Sequence, residues 1–148
     1  MAVRVQREDF DVGAELAALS EGRTDIGGVV SFTGLVRDSA GTLRALELEH
    51  YPGMTEAALA AIEAEARARW PLADALIIHR YGELPPGAQI MMVATLSAHR
   101  AAAFEAAAFL MDYLKTDAPF WKKETSVEGS RWVAAEASDD RARARWRR

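Results

Sequence analysis

SAHRAAAFEAAAFLMDYLKTDAPFWKKE, residues 97–124, spells a helix, its stop and the strand after it. Residues 100–116 are dominated by alanine, leucine, methionine and glutamate, which lose little on entering a helix. Ser97 stands where an N-cap belongs, and Pro119 cannot continue a helix. FWKKETS, beyond the proline, has the aromatic and β-branched content of a strand. A long helix delivered straight into a strand predicts a domain in which both elements pack on one core.

The neighbours extend this reading. Downstream, RWVAA (131–135) is a second short strand joined to FWKKETS through VEGS. Upstream, AQIMMVATLS (88–97) and ADALIIHRYGEL (73–84) are two apolar strands separated by the turn PPG. Thr55 is placed to cap a helix running through Trp70, with Leu59, Ile62, Ala66 and Trp70 on one stripe and Pro71 as its stop. DIGGVVSFTGLVRD (25–38) reads as a strand entering a turn, SAGT reverses the chain, and LRALELEHY (43–51) alternates as a half-buried strand, so a hairpin is expected. VRVQRED and VGAELAALS, near the N-terminus, predict a short strand and a short helix. There are no internal repeats. The class is α+β, with antiparallel strands and two main helices, in a single domain over residues 1–138 followed by an arginine-rich tail over 139–148.

Composition narrows the function classes. The chain has 148 residues, half of them hydrophobic, enough for one domain with a real core. It has no cysteine, which removes disulfides, thiolate metal sites and cysteine nucleophiles together. No apolar run has the length of a membrane span, and MAVRVQREDF lacks the apolar centre of a secretory signal, so a cytoplasmic location and no membrane contact are expected. Net charge is −4 although the tail DDRARARWRR carries five arginines against two aspartates. The body is thus distinctly acidic, against a nucleic-acid-binding surface. The tail reads either as a solvated terminus or as a contact for an acidic partner.

The opening stretch also holds an anomaly. Of eighteen basic side chains only three are lysines, and all of them, Lys115, Lys122 and Lys123, fall within it. Lysine differs from arginine in being able to give up its proton at accessible pH. Three lysines in an arginine-rich chain point to acid–base or nucleophilic work, against the plainer alternative of a helix C-terminal charge and two solvated side chains. In an extended segment Lys122 and Lys123 face opposite ways, so at most one shares a pocket with Lys115. His99 and Arg100, beside the N-terminus of the helix, make a plausible phosphate seat. Arg37, at the strand-to-turn step, is a further anion-binding candidate. A continuous helix separates Arg100 from Lys115 by roughly 22 Å, at about 1.5 Å per residue. Either there are two sites, or two chains bring opposite helix ends together, and a symmetric dimer with composite sites is favoured. His50 and His79 read as structural, three scattered histidines form no metal-binding pattern, and Trp121 and Trp132 read as packing or as pocket walls. No P-loop, GxGxxG or GxSxG is present.

VVSFTGLVRD, LELEHYPGMTE, ARWPL, the long segment 97–124 and GSRWV together resemble the MoaE family, the large catalytic subunits of molybdopterin synthase. The resemblance covers about residues 26–133. It implies an α/β-hammerhead-type fold and a sulfurtransferase that converts cyclic pyranopterin monophosphate to molybdopterin by installing two sulfurs as a dithiolene. It implies a small ubiquitin-like sulfur-carrier partner, MoaD-like, whose C-terminal thiocarboxylate supplies the sulfur, so that no cofactor is needed. It also implies a homodimer within a heterotetramer. Matched by motif, Lys115 and Lys122 correspond to the catalytic lysines. Leu35, Val36 and Arg37 correspond to a substrate-contacting turn, and His99 and Arg100 to anion-binding residues. Lys123 and Glu124 extend the second lysine's segment. Relatives often carry a basic residue where Leu35 stands, so this position is expected to supply backbone or shape. The tail has no counterpart in the resemblance. Two other classes remain: a non-catalytic binding module for a phosphorylated heterocycle, and an interaction or RNA-binding protein acting through the tail.

Overall fold

A computed structural model describes residues 2–133 and 137–147. Within them the chain runs β1 (Ala2–Gln6), α1 (Val12–Ser20), β2 (Gly28–Leu35), β3 (Leu43–His50), α2 (Met54–Arg69), β4 (Leu72–Arg80), β5 (Gly82–Leu84), β6 (Gln89–Ser97), α3 (Arg100–Thr116), β7 (Phe120–Ser126), β8 (Gly129–Val133) and α4 (Ala137–Ala144). Ala134 and Ala135, which the sequence reading adds to the last strand, and Arg148 at the end of the tail lie outside the described residues.

The strands form two four-stranded sheets, β1-β4-β6-β2 and β5-β3-β7-β8, antiparallel throughout except for β1 beside β4. In the first sheet β4 and β6 are covered on both faces, which is why their sequences are continuously apolar instead of alternating. Ile77, Met91 and Val93 face α2 and α3 in a cluster with Leu59, Ile62, Ala66, Phe109 and Leu110. Leu76, Ile78, Met92, Ala94 and Leu96 face the other way, onto Phe10 and α1. The second sheet has a smaller core of Val36, Leu46, Leu48 and Leu84, and β8 is exposed along its length.

Five expectations need correction. The predicted hairpin of β2 with β3 does not form: β2 pairs with β6, and β3 pairs with β5 and β7 in the other sheet. At Val36 the chain leaves β2 for the turn before β6, where Val36 N donates to Ala88 O at 2.9 Å and Gly87 N to Val36 O at 2.8 Å. Asp38 Oδ1 then accepts from Thr42 N and Leu43 N, closing a turn that redirects β3. Secondly, Thr55 lies inside α2 and is not its cap; Gly53 holds that position, and its N–H donates to Glu56 Oε1 at 3.2 Å. Thirdly, Ser97 is the buried end of β6, its hydroxyl donating to Pro71 O, and His99 takes the N-cap position of α3. Fourthly, the stretch 73–84 is two strands, because Gly82 turns the chain at φ 96° into the second sheet.

The fifth concerns the tail. α4 begins before residue 139 and packs on α3, so the boundary at 138 falls inside a helix. Trp146 rests edge-on against Phe109 and Trp70, at centroid distances of 5.5 and 5.6 Å. The indole is partly buried there, and Arg143 and Arg145 beside it pair with Asp117 and Asp112 of the body.

Candidate functional site

The two sheets meet where β2 ends, α3 ends and β7 begins, and between them lies a cavity of about 440 Å³. The C-terminal end of α3 reaches it because the face turned to the sheet is small. Ala102, Ala103, Ala106 and Ala107 are buried against β6 and β2, and Thr95 Oγ1 donates to Ala103 O at 2.6 Å. Asp117 N and Ala118 N both donate to Tyr113 O, closing the helix before Pro119. Thr55 Oγ1, which accepts from Tyr51 N, donates to Pro119 O at 3.1 Å and ties this turn to the start of α2. The next residue, Phe120, stacks on the His79 ring at 3.7 Å and 19°.

This sequence of constraints sets the register of β7. Lys122 stands opposite Leu48 and Val133, and Glu124 opposite Leu46, so both face the cavity. Lys115 enters from the last turn of α3, at the exposed mouth. Leu35, Val36 and Arg37 form the wall contributed by the end of β2. Arg37 and Leu35 are exposed there, while the Val36 side chain is buried in the second core behind the lining. Glu124 Oε2 accepts from Arg131 Nη2 at 3.2 Å. A second, more polar hollow of about 530 Å³ shares Arg37, Leu43 and Glu124 with the first and continues to Arg131.

Three expected site residues are placed elsewhere. Lys123 faces away, beside Trp132 with its ammonium 5.8 Å from the ring centroid, and opposite Glu47. His99 and Arg100 lie exposed at the far end of α3 and do not line the cavity of their own chain. Nor do Trp121 and Trp132 wall it; Trp121 packs edge-on against Tyr51 at 4.4 Å. His50 packs against Tyr81 with ring centroids 4.1 Å apart and planes tilted by 36°, a structural contact of the kind expected of it.

His79 was read as a core residue, and it is buried, yet it also lines the cavity beside both lysines. Its Nδ1–H donates to Arg80 O at 2.8 Å, which fixes the neutral tautomer with the lone pair on Nε2. Burial, reinforced by the charges of Lys122, His50 and Lys115, pushes its pKa down to about 4, so the ring stays neutral at physiological pH. A single polar residue at the end of the run ALII was the available signal. Met111, also in the lining, is one helical turn before Lys115, a spacing that places both on one face.

The arrangement offers two ammonium groups and a guanidinium around a space large enough for a small heterocycle, beside a neutral imidazole. It can bind an anion, stabilise developing negative charge and exchange protons through lysine. Among the described residues no group of His, Asp or Glu has metal-holding geometry.

Residues 5–117 match the family model described as MoaE protein. The chain is 60% identical to the molybdopterin synthase catalytic subunit of Mesorhizobium japonicum, over 98% of this chain and 92% of that one. The molybdopterin biosynthesis MoaE protein from Burkholderia ambifaria MC40-6 superposes with a TM-score of 0.84 at 54% identity, covering 99% of both chains. Molybdopterin synthase from Staphylococcus aureus superposes with a TM-score of 0.80 at 32% identity, over 88% of this chain and 96% of that one. Fold and sequence agree, and the chain belongs to the MoaE family.

Proposed function

We propose that this chain is the catalytic subunit of a molybdopterin synthase. It transfers two sulfurs from a thiocarboxylated, ubiquitin-like carrier subunit to cyclic pyranopterin monophosphate and forms the dithiolene of molybdopterin. The observation that carries the reading is the convergence of Lys115, Lys122 and Arg37 on one cavity in a chain of this family. The chain has no cysteine of its own, which suits an enzyme whose sulfur arrives on a partner. Arg37 offers a fixed positive charge to the substrate phosphate or the carrier carboxylate. Lys115, at the mouth, exchanges protons with the substrate as the thiocarboxylate sulfur attacks the reacting pterin carbon, and stabilises the oxyanion formed when water then cleaves the acyl–sulfur bond and releases the carrier as its carboxylate. Lys122, deeper and beside His79, positions the substrate.

The working unit in this reading is a dimer. β2 is the edge of its sheet and exposes Val29, Phe32 and Leu35, the last two also on the cavity rim. The backbone of Gly28, where β2 starts, lies beside Arg100: a Cβ there would sit 3.7 Å from its Cα. Antiparallel pairing of two β2 edges about a twofold axis sets the start of one strand opposite the end of the other. Arg100 and His99 of one copy then approach the cavity of its partner and complete the anion site. One sulfur carrier at each outer cavity makes a heterotetramer.

The test is one reaction followed by mass spectrometry, with cyclic pyranopterin monophosphate, thiocarboxylated carrier and either the native chain or Lys115→Ala. Sulfur-bearing pterin from the native chain, and at least about 100-fold less from the variant, is expected. Lys115→Arg should fail nearly as badly, since arginine keeps its proton. Unchanged substrate with intact thiocarboxylate, from folded protein bound to its carrier, would overturn the reading in favour of a non-catalytic binding module.

A further inference from the structure

The function just proposed makes no use of the arginine-rich end of the chain, although that end is docked on the helix that carries Lys115. Two carboxylates flank this lysine in sequence: Asp112, three residues earlier on the helix, and Asp117, at its C-cap. The three-residue spacing from Asp112 is one at which a helical lysine can pair with an acidic neighbour, and Asp117 stands at the cap just beyond the same turn. Here both carboxylates are engaged from the other side. Asp112 Oδ2 accepts from Arg145 Nη2 at 2.8 Å and from Trp146 Nε1 at 2.6 Å. Arg143 Nε lies 2.8 Å from Asp117 Oδ2, an ion pair by distance, and its guanidinium sits 5.8 Å from the Tyr113 ring centroid. Asp112 is only 17% exposed, so the contact with Arg145 is partly shielded from water. Among the described residues no carboxylate is within ion-pair distance of Lys115.

We propose that residues 141–147 are a positioning element for the reactive lysine: Arg143, Arg145 and Trp146 hold Asp112 and Asp117, so that the Lys115 ammonium remains available to the cavity. Trp146 anchors the element through Phe109 and Trp70, and the two arginines do the sequestering. The inference rests on the role given to Lys115 above, but its test can be read without turnover.

Arg143→Gln/Arg145→Gln keeps the Trp146 anchor and removes the two charges. In the free protein, acylation of Lys115 by a small amine-reactive ester is followed by peptide mass spectrometry, with Lys123 as internal reference. An ion-paired ammonium holds its proton more tightly and reacts more slowly. Lys115 is expected to slow about fivefold, the weight of a partly shielded ion pair, with Lys123 unchanged. The single-turnover rate with thiocarboxylated carrier should fall by a similar factor. Adding Asp112→Asn/Asp117→Asn should restore both rates, a rescue that a purely structural role would not give. Unchanged Lys115 acylation, or no recovery in the fourfold variant, would overturn the proposal. Should the double variant fail to fold by circular dichroism, Arg145→Gln alone, at a half-exposed site, carries the same comparison. Lys115→Ala run in parallel separates the two ideas: an active Lys115→Ala defeats the catalytic reading, whereas the acylation result judges the tail by itself.

Discussion

The two ends of α3 are built for different company. At the C-terminal end the helix is closed by Tyr113 O, by Pro119 and by the Thr55 hydroxyl, and it presents Lys115 to a cavity walled by strands of both sheets. At the N-terminal end His99 makes no side-chain cap bond, Arg100 is exposed, and neither lines the cavity that Lys115 enters. One end is built into a cavity and the other stands at the surface. In the dimer proposed above, this single helix would serve two sites at once, its own through Lys115 and a partner's through Arg100.

Subunit complementation distinguishes the roles of the two helix ends. Lys115→Ala and Arg100→Ala are each expected to lower turnover by about 100-fold or more as homodimers. Mixed after subunit exchange, they should regain about a quarter of native activity, because each heterodimer contains one site free of both lesions. No recovery would mean that both ends act within one chain.

A second test probes the closed end. The depressed pKa of His79 means that the unfolded chain takes up a proton below about pH 6.5 while the folded chain resists until about pH 4. Stability is thus fully present above pH 6.5 and is lost as pH falls toward 4, by up to about 3 kcal/mol. Urea denaturation at pH 7 and pH 4.5 should show this loss. His79→Phe, which keeps the stack on Phe120, should flatten it.

At the open end, a Cβ on Gly27 would lie 2.0 Å from Ala98 O, since Gly27 N donates to Ser97 O where β2 passes the start of α3. Gly27→Ala should cost about 1–3 kcal/mol in denaturation experiments, and should weaken dimerisation more than carrier binding. The smallest effect is expected from Lys123, on the outer face of β7. Lys123→Ala should change kcat/KM by less than about threefold, against a large loss for Lys122→Ala.

Much of this was legible one residue at a time. Residues 100–116 declare a helix by propensity and Pro119 by its ring, and Leu59, Ile62 and Ala66 mark a buried stripe by spacing. The concentration of lysine in 115–123 marks the chemical end of the molecule, and the alternation of β7 separates Lys122 from Lys123. Other features depended on partners far along the chain. The hairpin expected from residues 25–51 fails because β6 competes for β2, and the Asp38 turn sends β3 to another sheet, neither of which leaves a local mark. His79 looks like any polar residue in an apolar strand until Phe120, Lys115 and Lys122 are brought around it. The tail reads as solvated charge until Trp146 finds Phe109 and Trp70. Propensity, proline stops and side-chain period act over a few residues and can be read from the chain directly. Strand partner choice, the stack on His79 and the capture of Asp112 and Asp117 depend on surfaces that exist only once distant segments have packed, and these the tertiary structure alone decided.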